Sequence, residues 1–172
     1  MKKRWHVLKG LIEENGYRVF VEVGVYAGDT SSFLLRVIKR KNFRIFGVDP
    51  YVEYKGYRSP NIDYIKGMAY RGCFTDPRCC HIEKFSVDAV NDFDEVDMVF
   101  IDANHKYNWI WQDINLWWAK VRKGGILSGH DYWSVKGGRN RDVRKAVNRF
   151  VYLNKLELNT EDDGVWWIKK WE

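Results

Sequence analysis

The chain has 172 residues, of which 45% are hydrophobic and 16% aromatic, and its formal net charge is +6. This length suits one domain, residues 1–172, with a sizeable core, and it excludes two full-sized domains. No apolar run approaches the roughly 20 residues that a membrane-spanning helix needs, and the basic N-terminal stretch lacks the apolar region of a signal peptide. We therefore expect a cytoplasmic protein with no membrane partner.

The positive charge is spread along the chain, and only residues 136–145 form a basic cluster. Such a surface favours either simple solvation or an acidic partner, such as nucleic acid, an anionic glycan or phosphate. Charge alone does not choose between these alternatives.

Three cysteines, Cys73, Cys79 and Cys80, lie close together in the sequence, and His81 follows them. Their odd number argues against a disulfide framework, and their spacing fits no usual zinc motif. We expect them to be ordinary reduced thiols.

Short apolar runs alternate with helical patterns along the chain. The N-terminal stretch predicts an amphipathic helix, and further helices are predicted over residues 30–40, 107–121 and 141–150. Residues 50–79 are predicted to be irregular, with one short helix. Strands are predicted at residues 18–23, 43–48, 81–85, 96–101, 124–129, near 154–158 and 164–170. The alternation predicts an α/β fold with a doubly wound, mostly parallel sheet.

The first ligand-binding motif is "VEVGVYAGDTS", residues 21–31, which follows the first predicted strand. Gly24 and Gly28 allow a tight turn and a close approach of the backbone to a ligand, and Thr30 or Ser31 is predicted to cap the next helix. Glu22 suits a ligand with a cationic group. The spacing is G-x-x-x-G, which lacks the dinucleotide fingerprint.

The second predicted strand ends on Asp49, some twenty residues after the glycines. A carboxylate at this position characteristically accepts hydrogen bonds from a ribose diol. Together the two motifs predict a nucleoside site without a diphosphate. Taken singly, each is also compatible with a plain glycine turn or a helix-capping aspartate.

Polar residues also end two later strands. Asp102 and His105 follow the strand at 96–101, and His130 and Asp131 follow the strand at 124–129. Carboxylates and an imidazole at one sheet edge predict a site for Mg²⁺ or another divalent cation. The alternative is structural: Asp102 contacting only the cofactor or a loop, His130 in the core, and Asp131 capping a turn.

The tryptophans divide into two groups. Trp117 and Trp118 share helical spacing with apolar neighbours and are predicted to lie in the core. Trp109 and Trp133 fall nearer the predicted site and are candidates for contact with a substrate.

E-x-G-x-x-x-G followed by an acidic end to the second strand resembles the class I S-adenosylmethionine-dependent methyltransferases. The resemblance implies a single seven-stranded, Rossmann-like sheet with an antiparallel C-terminal strand. It also implies a cofactor site in three parts. The methionine part would contact Glu22, Gly24, Val25, Tyr26, Gly28, Thr30 and Ser31, the ribose would contact Asp49, Pro50 and Tyr51, and the adenine would contact Ser86 and Val87.

Residues 96–150 resemble the methyltransferase 24 family through D-x-x-H-x-Y, a Trp-rich helix, K-G-G-I-x-x-G-H-D-Y and V-x-x-A-V-x-x-F. This family is related to metal-dependent sugar and antibiotic O-methyltransferases. The resemblance implies that Asp102 and Asp131 are metal ligands, with Asp102 also close to the cofactor, and that His105 is a general base. Relatives with a known metal carry two acidic residues where this chain has His130 and Asp131.

We therefore expect methyl transfer from S-adenosylmethionine to a hydroxyl oxygen of a small molecule or glycan, assisted by a divalent cation. The alternatives are a nicotinamide-dependent oxidoreductase and a non-catalytic basic module that binds nucleic acid. The resemblance favours a sugar hydroxyl as the acceptor, with a catechol-like phenol and a nucleic-acid ribose as open alternatives. Nucleic acid is not the expected partner, and a homodimer is the favoured assembly.

Overall fold

A seven-stranded sheet with strand order β3-β2-β1-β4-β5-β7-β6 forms the centre of the protein. The structure, a computed structural model, describes residues 2–54, 61–133 and 141–171. Strands β1 to β5 run parallel, and β7 is antiparallel to both β5 and β6. The strands are β1 Val19–Val23, β2 Arg44–Val48, β3 Cys79–Ile82, β4 Val96–Ile101, β5 Val121–Gly129, β6 Asn159–Thr160 and β7 Trp166–Lys169. The predicted α/β fold, with seven strands and an antiparallel C-terminal strand, is confirmed.

Helices cover both faces of the sheet. They are α1 Arg4–Glu14, α2 Asp29–Val37, α3 Ile62–Ala69, α4 Ser86–Ala89, α5 Tyr107–Lys120 and α6 Arg141–Asn154. Short non-α segments follow three elements: a π-helical turn at Tyr70–Phe74 and 3₁₀ turns at Val90–Asp92 and Asp162–Gly164. None of the helices in the described ranges is long and apolar enough to cross a membrane.

Alternate residues of the central strands divide the core into two clusters. In β4, Met98 and Phe100 join a cluster with α1, α2 and α3, whereas Val99 and Ile101 join a cluster with α5 and α6. This is the period of two that a strand covered on both faces requires. Trp117 is fully buried in the second cluster, and Trp118 packs against it, as their helical spacing predicted.

Three predicted boundaries were wrong. The strand predicted near 154–158 lies instead at Asn159–Thr160, because α6 continues to Asn154 before Lys155 turns the chain with a φ of 52°. The strand predicted at 81–85 is Cys79–Ile82, because pairing with Ile45–Val48 of β2 fixes its position. The predicted strand at 124–129 begins earlier, at Val121, directly after α5.

The register aligns the carboxyl ends of four neighbouring strands. Val23 of β1 pairs with Val48 of β2 and Ile101 of β4, and Ile101 pairs with Gly129 of β5. Backbone hydrogen bonds continue past these ends: Gly24 N donates to Val48 O, Asp102 N to Val23 O and His130 N to Ile101 O. The residues that follow these strands are therefore brought to one edge of the sheet.

Candidate active site

A pocket of about 340 Å³ opens at this edge of the sheet. Its volume lies in the range of small-molecule sites. Eight predicted site residues line it: Gly24, Tyr26, Asp49, Pro50, Ser86, Val87, Asp102 and His105. Within the described ranges, eight other predicted residues stand outside its wall: Glu22, Val25, Gly28, Thr30, Ser31, Tyr51, His130 and Asp131.

The turn after β1 brings two loops into direct contact. Gly24 has a φ of 88°, and a Cβ atom there would lie 2.5 Å from Asp102 O and 2.6 Å from Ala103 Cα. Both the backbone conformation and the missing space require glycine at this position. Gly24 therefore sets the distance between the β1 and β4 loops, which form adjacent parts of the pocket wall.

Asp49 ties the glycine loop to the end of β2. Its Oδ2 accepts hydrogen bonds from the backbone N–H groups of Val25 and Tyr26, both at 3.0 Å, and its Oδ1 accepts one from Tyr51 N at 2.9 Å. The carboxylate also lines the pocket. Val25 and Tyr51 contribute through their backbone and their buried side chains, and the Tyr51 hydroxyl donates to Tyr26 O at 2.7 Å.

Glu22 lies beneath the glycine loop, outside the pocket wall. Its side chain is 2% exposed and accepts a hydrogen bond from the Ser31 hydroxyl. Burial raises the pKa of Glu22 to about 8, although the Ser31 hydrogen bond opposes the shift and the nearby Asp102 adds to it. In the structure the side chain of Glu22 contacts Ser31, and its contact with a cationic ligand stays a prediction.

The start of α2 differs from the prediction. The helix begins at Asp29 after Gly28, so Thr30 and Ser31 lie buried in its first turn and neither forms a side-chain cap. Gly28 has a φ of 82°, and a Cβ atom there would lie 2.9 Å from Cys73 Sγ. This glycine allows close packing against the π-helical turn.

The three cysteines are free thiols, two buried and Cys80 exposed.

Two carboxylates and an imidazole meet beside the pocket. His105 Nε2 lies 3.0 Å from Asp131 Oδ2 and 3.6 Å from Asp102 Oδ1. One potential ligand atom from each of these three residues lies within 4.8 Å of the others. His130 Nδ1 is 3.5 Å from Asp131 Oδ2 and 3.9 Å from Asp102 Oδ1. Four polar side chains from the ends of β4 and β5 therefore converge, as the sequence predicted.

The carboxylates raise the pKa of both histidines. For His105 the main cause is Asp102, with a further contribution from Asp131, and burial opposes them. For His130 burial lowers the pKa, but Asp131 and Asp102 more than offset it, so the net shift is upward. The Nε2 atoms of both rings are buried and form no hydrogen bond of good geometry within the described residues. Both nevertheless lie among carboxylates, because His105 Nε2 is 3.0 Å from Asp131 Oδ2 and His130 Nε2 is 3.9 Å from Asp163 Oδ2.

Arg4, in the first turn of α1, is a pocket residue that the sequence did not predict. Its Nε donates to Thr30 Oγ1 at 3.1 Å and lies 3.7 Å from Asp102 Oδ2. Its backbone N–H donates to Asp163 Oδ2 at 2.9 Å. An arginine in an amphipathic helix carries no local signal of a site, because only tertiary packing places α1 beside Asp102.

Aromatic side chains form another part of the wall. The ring of Tyr54 lies 5.5 Å from that of Trp109 and 5.7 Å from that of Phe85. Trp109 was a predicted candidate, whereas Tyr54 and Phe85 were not. Trp133, the other candidate, is 48% exposed and packs against Tyr132. Residues 55–60 and 134–140, which follow Tyr54 and Trp133 in the sequence, lie outside the described residues.

Comparisons with known proteins place this geometry in a family. A family model described as "Methyltransferase domain", type 24, matches residues 21–132. An uncharacterized protein of Acanthamoeba polyphaga mimivirus is 26% identical over 155 residues, a match that covers 86% of this chain and 66% of the viral protein. The chain thus spans about two thirds of the length of that relative.

Three solved structures share the fold at low sequence identity. The O-methyltransferase NovP has a TM-score of 0.75 at 14% identity, covering 98% of this chain and 80% of its own. The Podospora anserina methyltransferase PaMTH1, bound to SAH, has a TM-score of 0.69 at 17% identity, and the match covers 100% of this chain and 80% of PaMTH1. The O-methyltransferase of Bacillus cereus in complex with SAH has a TM-score of 0.65 at 16% identity, and the match covers 97% of this chain and 80% of the Bacillus cereus chain.

The family match extends from β1 to the residues that follow β5, and so includes both the glycine turn and the His/Asp cluster. The shared fold covers nearly the whole chain. The chain belongs to the methyltransferase 24 family of class I S-adenosylmethionine-dependent methyltransferases.

Proposed function

We propose that the protein transfers a methyl group from S-adenosylmethionine to a hydroxyl oxygen of a small molecule or glycan, with a divalent cation and His105 assisting. The observation that carries this proposal is the position of His105 Nε2, within 3.0 Å of Asp131 and 3.6 Å of Asp102 at the wall of a pocket of nucleoside size. The names of the structural neighbours, which include two O-methyltransferases, support oxygen as the acceptor atom.

The cofactor would lie along the pocket in a fixed order. The glycine turn at Gly24 faces the methionine part, Asp49 the ribose, and Ser86 and Val87 the adenine. Asp49 keeps a place for ribose hydroxyls because a carboxylate offers about four acceptor positions and three backbone N–H groups are bonded to it. The sulfonium already makes the methyl group electrophilic, so the main task of these residues is to hold donor and acceptor in line.

The residues around Asp102 fit a hard divalent cation. Carboxylate oxygens with one imidazole and open positions for water or substrate are typical of Mg²⁺ and Mn²⁺ sites. Asp102, Asp131 and His130 would hold the cation. When bound, such an ion lowers the pKa of a coordinated hydroxyl group. His105 lines the pocket, and its side chain is 42% exposed, so it is placed to accept the hydroxyl proton.

The close approach of His105 to both carboxylates supports a second assignment, in which His105 is itself a ligand of the cation. The two assignments predict different results for His105→Ala. If His105 is a base, its removal leaves the affinity for Mg²⁺ or Mn²⁺ nearly unchanged. If His105 is a ligand, its removal lowers that affinity by about tenfold or more. Calorimetric titration of the variant with Mn²⁺ separates them.

Calorimetry with S-adenosylhomocysteine tests the cofactor. We expect saturable binding, whereas absence of heat at millimolar ligand, with folded protein, would contradict the whole proposal. A titration with NADH under the same conditions is the matched control, and we expect no binding.

Methyl transfer itself is tested with isotopically labelled S-adenosylmethionine and a panel of sugars and catechol-type phenols, with and without Mg²⁺. Mass spectrometry of the products locates the methyl group. A product methylated at nitrogen or carbon would contradict the oxygen assignment while leaving the cofactor assignment intact.

A further inference from the structure

A second pocket, of about 320 Å³, opens on the face of the sheet that α1 covers. Its wall comes from the last turn of α1, from β5 and from the outer strands β6 and β7 with their flanking residues, and it shares no residue with the candidate active site. Arg4, at the opposite end of α1, lines the active site, so roughly 10 to 15 Å of helix separates the two. The volume again suits a small molecule.

The alternation of β7 turns one of its tryptophans toward this pocket. Trp167 packs against the core cluster of α1, whereas its neighbours Trp166 and Ile168 belong to the other cluster. Lys169, two positions on, points the same way as Trp167. Asn159 of β6 pairs with Trp167 and therefore shares its face. The pocket is the space between these side chains and the end of α1.

Two indole rings form the aromatic part of the wall. Trp171 is 63% exposed, and Trp167 is partly buried. The Nε1 atom of Trp167 is shielded from solvent, yet it has no hydrogen-bond acceptor within the described residues. A buried N–H group without an acceptor costs free energy and calls for an explanation. A ligand oxygen in the pocket would supply the acceptor.

Unpaired polar groups surround the two rings. The side chains of Glu14 and Glu157 line the pocket and form no hydrogen bond or ion pair within the part of the chain that the structure describes. Asn159 adds an amide, which can both donate and accept. The pocket thus offers hydrogen-bond donors and acceptors beside aromatic faces.

The charges in the wall disfavour an ionic ligand. Lys169 Nζ lies 4.6 Å from the centre of the Trp171 ring, so the protein's own ammonium group takes the place that a cationic ligand would need. The same ammonium group donates to Asn15 Oδ1 at 2.7 Å, and the two carboxylates would repel an anion. A neutral molecule with several hydroxyl groups meets none of these objections.

We propose that this pocket binds a neutral saccharide. A pyranose ring would pack its C–H face on Trp171, one hydroxyl oxygen would accept from Trp167 Nε1, and other hydroxyls would donate to Glu14 and Glu157. The site takes no part in methyl transfer, and the proposal does not rest on the proposed function. A saccharide bound here leaves the candidate active site free.

Titration followed by ligand-observed NMR tests the proposal with the methyl pyranosides of glucose, galactose and mannose, each as both anomers. We expect at least one to bind the wild-type protein with a Kd of about 1 to 10 mM. Glucose 1-phosphate and choline are the charged comparisons and should bind about tenfold more weakly or less. A trisaccharide of the best sugar separates a glycan, expected to bind about tenfold more tightly, from a free sugar, expected to bind equally.

Two substitutions assign the binding to this pocket. Trp171→Ala should weaken it by about tenfold or more, because it removes the exposed stacking surface. Trp167→Phe keeps an aromatic ring but removes the N–H donor, and should weaken it by about threefold to tenfold. Trp133→Ala removes another exposed indole, at the candidate active site, and should bind as the wild type does.

Three results would overturn the proposal. The first is no saturable binding of any pyranoside up to about 20 mM by the folded wild-type protein. The second is binding that Trp109→Ala or Trp133→Ala abolishes and Trp171→Ala leaves intact, which would place the sugar in the candidate active site. The third is tighter binding of choline than of every pyranoside.

Titration with S-adenosylhomocysteine on the same preparations keeps the two proposals apart. Its affinity should be equal in the wild type and in Trp171→Ala, which also shows that the variant is folded. If the wild-type protein binds a pyranoside but no S-adenosylhomocysteine, the proposed function fails and the saccharide site stands.

Discussion

His105 Nε2 lies 3.0 Å from Asp131 Oδ2, although the two residues follow different strands of the sheet. Asp131 reaches this position with a φ of 60°, in the left-handed region that costs most residues free energy and that aspartate tolerates better than most. The β4–β5 register places the two loops side by side, and the turn at Asp131 aims its carboxylate at the ring. The pair thus joins the predicted base to a predicted metal ligand.

Replacing His105 by alanine tests its part in the chemistry. We expect kcat to fall by about 10² to 10⁴, the usual contribution of a general base, while the affinity for S-adenosylhomocysteine stays nearly unchanged. Steady-state kinetics and calorimetry on one preparation measure both. A structural role gives another pattern: a lower melting temperature with full turnover per folded molecule, and that result would remove His105 from the mechanism.

Removing a carboxylate from the cluster tests the cation site. A bound divalent cation stabilises the folded protein in proportion to RT ln(1 + [L]/Kd), or about 2.7 kcal/mol at a concentration of one hundred times Kd. Mg²⁺ should therefore raise the melting temperature of the wild-type protein and should raise that of Asp131→Asn much less. Asp94→Asn, at an exposed position, is the control and should respond as the wild type does. Equal responses in all three proteins would exclude Asp131 as a ligand.

Gly24→Ala tests the contact between the β1 and β4 loops. The new Cβ atom would meet backbone atoms of Asp102 and Ala103 at 2.5 to 2.7 Å, in addition to the cost of a φ of 88°. We expect a loss of roughly 3 kcal/mol or more in the free energy of unfolding, together with loss of cofactor binding.

Gly16→Ala provides the matched comparison for this substitution. Gly16 has a φ of 66°, but a Cβ atom there would meet nothing within 4 Å. Only the cost of the left-handed backbone conformation remains, so the expected loss in the free energy of unfolding is about 1 to 2 kcal/mol. Denaturant unfolding of both variants measures the difference, and equal losses would show that the space beside Asp102 is not limiting.

Residues at strand ends could be predicted from the sequence. Asp49, Asp102 and Asp131 interrupt or follow apolar runs, and parallel strands bring their carboxyl ends to one edge, so local pattern and general topology suffice to place them together. The same reasoning could not tell which polar groups face the pocket. Glu22 follows the strand pattern equally well, yet its side chain points beneath the glycine loop to Ser31.

Residues contributed by helix faces could not be predicted. Asp113 stands between Ile110 and Ile114 in an apolar helical pattern, and Arg4 stands in the first turn of α1, where a basic residue usually faces solvent. Both line the active-site pocket, and their places there depend on how α5 and α1 pack against the sheet, which is a tertiary property. Tyr54 is a similar case, because it follows β2 at a distance and reaches the pocket through its contacts with Trp109 and Phe85.

Glu22→Gln tests the buried carboxyl group through the pH dependence of stability. Burial raises the pKa of Glu22 from 4.5 to about 8, so between these values the folded protein holds a proton that the unfolded chain has released. Stability falls with rising pH wherever the folded state binds more protons. This contribution is therefore fully present below pH 4.5 and is lost progressively as the pH rises to about 8.

The glutamine variant cannot titrate, and its amide oxygen can still accept the hydrogen bond from Ser31. We expect its melting temperature to be close to that of the wild type at pH 5 and to exceed it increasingly up to pH 8.5. Thermal unfolding across this range measures the difference between the two proteins. Glu14→Gln makes the same change at an exposed position and should show no such trend. A difference between wild type and Glu22→Gln that stays constant with pH would mean that Glu22 is already ionised in the folded protein, and the Ser31 hydrogen bond would then be its main stabilising partner.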